Sequence, residues 1–171
     1  MLILYKYATR KQVDVMITFR KAKMQDVENL HYLINDFANK GLMLPRSRNT
    51  LYEALREFTI IEDEGKFVGT GALHILWEDL AEVRALVIKP DYQGQGIGKK
   101  VIEALMHEAT QLGINQIFAL TYQVDFFKKC GFKEVTKDEM PHKVWKECIN
   151  CPKFPNCDEV AVVRQIEEAI S

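Results

Sequence analysis

The chain has 171 residues, 47% of them hydrophobic and 27% charged, and its formal net charge at pH 7 is -1. This composition is typical of a soluble globular protein, and the near-zero charge excludes an electrostatic basis for binding nucleic acid or an acidic membrane surface. No apolar run is long enough to span a membrane, and the four cysteines do not indicate a disulfide framework, which favours a reducing, cytoplasmic setting.

The first fifteen residues fit an upstream start, a flexible arm or an edge strand, so it stays open whether they are dispensable. Residues 16–22 are predicted as a strand. Residues 16–171, including a cysteine-bearing segment at 142–171, are predicted to form a single domain, because the length is that of one domain with a sizeable core.

The next elements are predicted from helical and strand periodicity. A helix is predicted over 24–39, with Val27, Leu30, Ile34 and Phe37 on its apolar face. Ser47 or Asn49 caps a second short helix, whose buried side is predicted to be Leu51, Leu55 and Phe58. Residues 59–62 and 66–77 are predicted as a β-hairpin, and the two glycines inside its second strand, Gly69 and Gly71, indicate a bulge or close packing.

The central stretch, residues 82–98, reads as a strand, a glycine turn and the start of a helix. Apolar residues alternate along 82–88, which predicts two different strand faces, and Pro90 ends the strand. Three glycines follow within five residues. They leave backbone N–H groups accessible beside a positive helix N-terminus, a combination that binds phosphate or pyrophosphate.

The rest of the chain continues the alternation of strands and helices. The helix from Ile97 is predicted to reach about Leu112, with Leu112 facing inward and Gly113 as its stop. A short buried strand over 116–121, a helix over 124–130, a strand from 132 and a final strand over 158–163 follow. Such an order predicts an α/β domain.

Two motifs resemble the GNAT superfamily of acyl-CoA N-acyltransferases. The segment Gln93–Gly98 is similar to the family's Arg/Gln-x-x-Gly-x-Gly/Ala turn, and Phe127–Phe132 is similar to its aromatic-x-x-x-Gly-Phe signature. The resemblance implies the GNAT fold, an α/β (α+β) arrangement: a mixed, mostly antiparallel twisted sheet flanked by helices, with a V-shaped opening between central strands.

A narrower resemblance, carried by residues 44–47, 142–154 and 157–159, is to the short stand-alone N-acetylglutamate synthases of bacterial arginine biosynthesis. It implies an amino-acid N-acetyltransferase that moves an acetyl group from acetyl-CoA to the α-amine of L-glutamate. The alternatives are a GNAT enzyme that acetylates another small amine or a protein N-terminus, and a non-catalytic CoA- or arginine-sensing module.

The resemblance assigns donor-site roles to residues of the central stretch. The CoA pyrophosphate is expected over the turn, with Lys99 at its rim, and the pantetheine arm beside the strand end. The residues concerned are Gln93, Gly94, Gln95, Gly96, Ile97 and Gly98 in the turn, and Leu86, Val87 and Ile88 in the strand. Glu82 matches the position of the glutamate base of histone-type members, and it is expected to act through a water. A backbone amide near Leu86 or Val87 is expected to polarise the thioester carbonyl.

The usual tyrosine acid is replaced by Phe127, which leaves the general acid unassigned. Tyr122 lies nearby in sequence and is interpreted as a core tyrosine rather than as a substitute acid. Because a glutamate acceptor carries two carboxylates, cations are needed to bind it. The candidates are Arg46 with Ser47, Arg84 and Lys143, each with the alternative of a solvated surface group.

The tail cysteines leave three interpretations open. Cys148, Cys151 and Cys157, with His142, have partial zinc-ligand spacing; they are otherwise reduced structural thiols or a redox-sensitive pair. No metal is expected to take part in the chemistry. A homodimer is expected, because the N-terminal segment and the final strand both offer sheet edges.

Overall fold

The structure is a computed structural model and describes residues 3–8 and 14–166. Strands and helices follow in the order β1 (Ile3–Ala8), β2 (Asp14–Lys21), α1 (Val27–Asn39), α2 (Arg48–Glu53), β3 (Phe58–Asp63), β4 (Lys66–Trp77), β5 (Leu80–Ile88), α3 (Ile97–Gln111), β6 (Gln116–Thr121), α4 (Val124–Lys129), β7 (Lys133–Val135), α5 (Trp145–Cys148) and β8 (Val160–Gln165). Within the described ranges, none of these helices has the length and apolarity needed to cross a membrane.

The strands form one mixed sheet in the order β1-β2-β3-β4-β5-β6-β8-β7. The pairs β1–β2, β2–β3, β3–β4, β6–β8 and β7–β8 are antiparallel, as predicted, and β5 pairs with β6 in parallel. The parallel pairing runs from Leu80 opposite Gln116 to Glu82 opposite Phe118, although both strands continue beyond that pair. The predicted opening between central strands therefore begins after Glu82.

Contacts divide the chain into two compact units. The first comprises Met1–Leu73 with Ala85–Leu105, and the second comprises His74–Arg84 with Met106–Ser171. In the first unit, α1 and α2 pack on the sheet through a core that includes Leu30, Ile34, Leu51 and Phe58. In the second, Leu80, Phe118, Met140, Val144 and Ala161 form a separate core cluster.

Two helix boundaries differ from prediction. Phe58 is buried, but it begins β3 instead of closing the second short helix, because a 3-10 turn over Leu55–Glu57 ends the helical segment first. Leu112, predicted to face inward, is 53% exposed. Helix α3 ends at Gln111 and Gly113 has φ 76°, so the chain has already turned away from the core at Leu112.

The N-terminal segment contains an edge strand. Residues Ile3–Ala8 pair antiparallel with β2, from Ile3 opposite Phe19 to Ala8 opposite Asp14. Of the alternatives for residues 1–15, the edge strand is the one that this pairing supports. Residues 1–2, 9–13 and 167–171 lie outside the described part, and whether the domain needs its first fifteen residues stays a prediction.

A half-buried ion network joins β2, β3 and the start of the first helical segment. Arg20 donates from Nη1 to Asp26 Oδ2 at 2.8 Å and from Nη2 to Glu62 Oε1 at 2.6 Å, and the backbone N–H of Lys23 donates to Asp26 Oδ2 at 2.7 Å. The hydrogen bond from Arg20 lowers the pKa of Asp26. The carboxylate therefore stabilises the fold only while it is ionised.

Asp26→Ala is expected to lower the free energy of unfolding at pH 7 by about 2 kcal/mol, because Lys23 and Arg20 lose a buried acceptor. Since the folded-state pKa of Asp26 is depressed, its contribution is fully present above about pH 4, the unfolded value, and is lost as pH falls through the folded value. Urea unfolding at pH 7 and pH 3 measures both, with the gap between wild type and variant smaller at pH 3.

Asp36→Ala is the matched control. Asp36 accepts from Lys40 Nζ at 2.7 Å on the exposed side of α1, four residues apart in the helix. Such a surface pair contributes about 0.3–0.5 kcal/mol. Equal losses in the two variants would contradict the structural role given to the Arg20 network.

Candidate active site

The end of β5 is packed closely against β4 and α3. Gly69 makes this possible, since a Cβ there would lie 2.7 Å from the Val87 carbonyl oxygen and 2.8 Å from Ile88 Cδ1. A Cβ on Gly71 would lie 2.8 Å from Val101 Cγ1. The close packing predicted from these two glycines is confirmed. It holds the strand end and the following helix together as a rigid support.

The glycine turn has the backbone conformation that its sequence predicts. Gly94 and Gly96 have φ of 73° and 77°, in the left-handed region that favours glycine, and a Cβ on either would face open space. Gln93 donates from Nε2 to the Ile88 carbonyl at 2.8 Å, and Gln95 donates to the Asp91 carbonyl at 3.0 Å. Both glutamine side chains thus bond to the loop's own backbone, and the turn offers a ligand mainly N–H groups.

The turn leads directly into α3, whose first residue, Ile97, is buried. The first N–H groups of a helix have no intrahelical acceptor and carry the positive end of the helix dipole. Lys99 is exposed in this first turn. Tyr92 donates its phenol to Asp63 Oδ2 at 3.0 Å, which ties the loop to β3, and burial raises the pKa of Tyr92. This arrangement fits a pyrophosphate.

Glu82 and Arg84 lie on the same face of β5, as predicted. Arg84 Nε donates to Glu82 Oε2 at 2.6 Å, and each side chain is 14% exposed. The regular alternation of the strand holds up to Arg84 and is interrupted at Ala85, which has φ 48°. The predicted simple alternation of faces through Val87 is therefore wrong, because a left-handed residue resets which side the following residues face: Val87 and Ile88 are both buried.

Arg46 and Ser47 lie on the loop between α1 and α2. Asn35 holds this loop from α1: its Nδ2 donates to the Arg46 carbonyl at 2.8 Å and its Oδ1 accepts from the Arg46 N–H at 3.2 Å. Ser47 is the N-cap of α2 and accepts from the Thr50 N–H at 3.1 Å. Both predicted substrate-binding residues thus have a fixed backbone. Asn35 was missed in the sequence, where it reads only as a polar helix residue.

Lys143 lies in a 3-10 turn over His142–Val144, and its side chain is outside the described part of the structure. Phe127, at the position of the usual tyrosine acid, is buried and packs edge-to-face against Phe126 and Phe132 with ring centroids 5.3 and 5.1 Å apart. The side chain of Phe127 serves as core, so the general acid remains unassigned.

Tyr122 is not a core residue, so that interpretation is wrong. It is 36% exposed, donates its phenol to Asp158 Oδ1 at 2.5 Å and accepts from Lys153 Nζ, which also lies 4.4 Å from the ring centroid. The hydrogen bond to Asp158 raises the pKa of Tyr122. Tyr122 directly follows β6, at its solvent-exposed end, and its partners come from more than thirty residues away. No local sequence signal marks this cluster.

Glu159 is a second carboxylate that the sequence reading did not single out. It directly precedes β8, and Cys157 Sγ lies 3.8 Å from its Oε2. Burial raises the pKa of Glu159, and the charge of Glu82 adds to this effect. Two carboxylates therefore share one electrostatic environment in the second unit. In residues 3–8 and 14–166, no three His, Cys, Asp or Glu side chains are grouped to hold a metal ion.

The model of the Acetyltransferase (GNAT) family matches residues 25–132. The chain belongs to this family. It is 33% identical over 147 residues to an uncharacterized N-acetyltransferase of Chlorobaculum tepidum, covering 86% of this chain and 95% of that one. It is 35% identical over 142 residues to an amino-acid acetyltransferase of Mycobacterium tuberculosis, covering 81% of each chain.

Among solved structures, the N-acetylglutamate synthase of Neisseria gonorrhoeae, complexed with coenzyme A and N-acetyl-glutamate, superimposes with a TM-score of 0.82 at 26% identity. The match covers 92% of this chain and 37% of that one, so this chain corresponds to about a third of the larger protein. The predicted GNAT fold is confirmed. The family also accounts for the strand, glycine turn and helix at residues 82–98 as parts of an acetyltransferase.

Proposed function

We propose that this chain transfers the acetyl group of acetyl-CoA to the α-amine of L-glutamate. The observation that carries the proposal is a donor turn with open backbone N–H groups on the same strand as the ion-paired Glu82. The similarity to an amino-acid acetyltransferase and to a synthase complexed with N-acetyl-glutamate supports the choice of acceptor. A place in arginine biosynthesis and a cytoplasmic location are parts of the same proposal.

The donor would bind along the first unit. The pyrophosphate fits the N–H groups of Gln93–Gly98 with Lys99 at the rim, and the amide-bearing pantetheine would pair with the backbone of Leu86–Ile88 by strand addition. The hydrogen bond from Gln93 to the Ile88 carbonyl keeps the turn next to the strand end. Both halves of the donor site would therefore keep a constant spacing.

The acceptor amine must be neutral to attack the thioester, but an α-ammonium is mostly protonated at pH 7. Glu82 would take the proton, directly or through a water, and Arg84 holds its carboxylate in one orientation. The neutral nitrogen then attacks the carbonyl carbon, and the developing oxyanion is stabilised by a backbone N–H near Leu86 or Val87. The tetrahedral intermediate collapses and CoA leaves as a thiolate, which needs no strong acid because thiols are acidic.

The acceptor carboxylates would be bound by cations. Arg46 has the strongest support, because Asn35 fixes its backbone and Ser47 presents a hydroxyl beside it. Arg84 and Lys143 are further candidates. In Arg84 the guanidinium already contacts Glu82, so its share in substrate binding would depend on the donors that this ion pair leaves available. A single domain at residues 16–171 and a homodimer remain proposals.

A substrate panel tests the acceptor. Wild-type protein is incubated with acetyl-CoA and each of L-glutamate, L-glutamine, L-aspartate and small amines, and CoA release is measured with a thiol reagent. Thiol release that depends on glutamate supports the proposal. Release with another amine only would replace the acceptor, and no release with any amine would favour a non-catalytic CoA-binding module.

Arg46→Ala is expected to raise KM for glutamate about tenfold, the equivalent of about 1.4 kcal/mol of lost carboxylate binding, while KM for acetyl-CoA stays constant. Steady-state kinetics with each substrate varied in turn measures both constants. Arg48→Ala is the control, since Arg48 pairs with Glu28 at 2.7 Å on the exposed surface two residues away. Unchanged KM for glutamate in the first variant would remove Arg46 from the acceptor site.

A further inference from the structure

The three tail cysteines have no role in the proposed reaction. Cys148, Cys151 and Cys157 are free, and each is partly exposed. They lie in the second unit, between α5 and β8. No cysteine, histidine and carboxylate group in the described part of the chain is arranged to hold a metal ion, so their chemistry has to be read from the thiols themselves.

Cys148 and Cys151 are the two ends of one tight turn. Cys148 is the last residue of α5, and the Cys151 N–H donates to the Cys148 carbonyl at 2.9 Å. A hydrogen bond between residues i and i+3 of a turn holds the two Cα atoms within about 7 Å. Disulfides join Cα atoms about 4.4–6.8 Å apart, so this backbone already has the separation that a disulfide needs.

Cys157 is engaged elsewhere. Its thiol contacts Glu159 Oε2 at 3.8 Å, and its carbonyl accepts from Lys137. The Cys148 thiol instead contacts the Val144 carbonyl at 3.8 Å, inside its own helical segment. Among the three possible pairs, Cys148 with Cys151 is therefore the pair that the hydrogen bonds bring together.

The turn is linked to the strand that carries Glu82. Val144 and Trp145, which flank the start of α5, pack in the same core cluster as Leu80, two residues before Glu82. Burial raises the pKa of Cys148, and the negative charge of Glu82 adds to this effect. A covalent change at Cys148 would thus alter packing and charge next to the proposed base.

We propose that Cys148 and Cys151 form a reversible intramolecular disulfide that slows acetyl transfer. A small disulfide such as oxidised glutathione is the oxidant. One cysteine thiolate attacks it and releases one glutathione thiol; the second cysteine then attacks the mixed disulfide and releases the other. Two protein thiols lose two electrons and two protons, and the oxidant gains them. The effect on rate rests on the proposed acetyltransferase function, whereas formation of the bond does not.

Peptide mapping tests the bond. The full chain is incubated with oxidised glutathione, blocked with N-ethylmaleimide, digested with trypsin and analysed by mass spectrometry. Cys148 and Cys151 fall in one tryptic peptide, residues 147–153, and Cys157 in the next, residues 154–164. We expect peptide 147–153 unlabelled and lighter by two hydrogen atoms than its reduced form. Two maleimide labels on it, or a link between the two peptides, would overturn the proposal.

Two variants and a pH series complete the test. Cys157→Ser should still form the bond, and Cys151→Ser should not. Because the pKa of Cys148 is raised, formation should be faster at pH 9 than at pH 7. Oxidised wild type, after removal of glutathione, should turn over acetyl-CoA more slowly by loss of thioester absorbance, with recovery in dithiothreitol. A bond that leaves the rate unchanged overturns the regulatory half alone, and an inactive reduced protein instead counts against the proposed function.

Discussion

Glu82→Gln is expected to reduce kcat about 100-fold or more while KM for acetyl-CoA changes little, because the variant cannot accept the proton of the acceptor ammonium. The amide keeps an oxygen that can accept from Arg84, so the geometry of the pair is retained while the base is lost. The rate of the variant should then rise about tenfold per pH unit, since the neutral amine must come from solution. Initial rates of CoA release from pH 6 to pH 9 measure this dependence.

Glu103→Gln is the control for Glu82. Glu103 is an exposed glutamate on α3, and its replacement should leave kcat and the pH profile as in wild type. Thermal unfolding of both variants separates loss of the base from loss of the fold. A Glu82→Gln protein that is folded and retains kcat within about threefold would mean that another group takes the proton. Glu159, the second carboxylate of the same unit, would be the next residue to replace.

Gly96→Ala is expected to raise KM for acetyl-CoA about tenfold to thirtyfold, the equivalent of about 1.4–2 kcal/mol of binding free energy. In the free protein the added Cβ meets nothing within 4 Å, so it would not clash with the protein itself. It would, however, occupy space beside the N–H groups that the pyrophosphate approaches, and φ 77° is strained for alanine. Steady-state kinetics with acetyl-CoA varied, and calorimetric titration with CoA, measure the loss.

Gly113→Ala provides a control with the same backbone cost. Gly113 follows α3 with φ 76° and likewise has nothing within 4 Å of an added Cβ. Both variants should lose about 1 kcal/mol of unfolding free energy from backbone strain, but only Gly96→Ala should lose affinity for CoA. Equal KM values for acetyl-CoA in the two variants would show that the turn does not bind the pyrophosphate.

The sequence predicted the donor side of the site well because that information is local. A strand, a turn of positive-φ glycines and a helix N-terminus are specified by neighbouring residues, and Gly94 and Gly96 adopt the expected conformation. The pairing of Glu82 with Arg84 also follows from strand periodicity, since residues two apart face the same side. The order of strands and helices was predictable for the same reason.

The sequence predicted the surroundings of these residues less well. Tyr122 was read as core, but contacts from Lys153 and Asp158 hold it at the surface. The kink at Ala85 carries no sequence signal, because alanine rarely has positive φ and does so here under tertiary constraint. Asn35 became visible only when the loop that carries Arg46 was seen to fold back on α1.

The sequence by itself determined that this is a GNAT acetyltransferase with its donor turn at Gln93–Gly98 and a candidate base at Glu82, because each feature depends on residues close together in the chain. Only the tertiary structure decided which partners hold these groups: Arg84 on Glu82, Asn35 on the loop of Arg46, and Gly69 against the end of β5. Such contacts depend on the register of strands and on packing between distant segments, and local periodicity does not specify either.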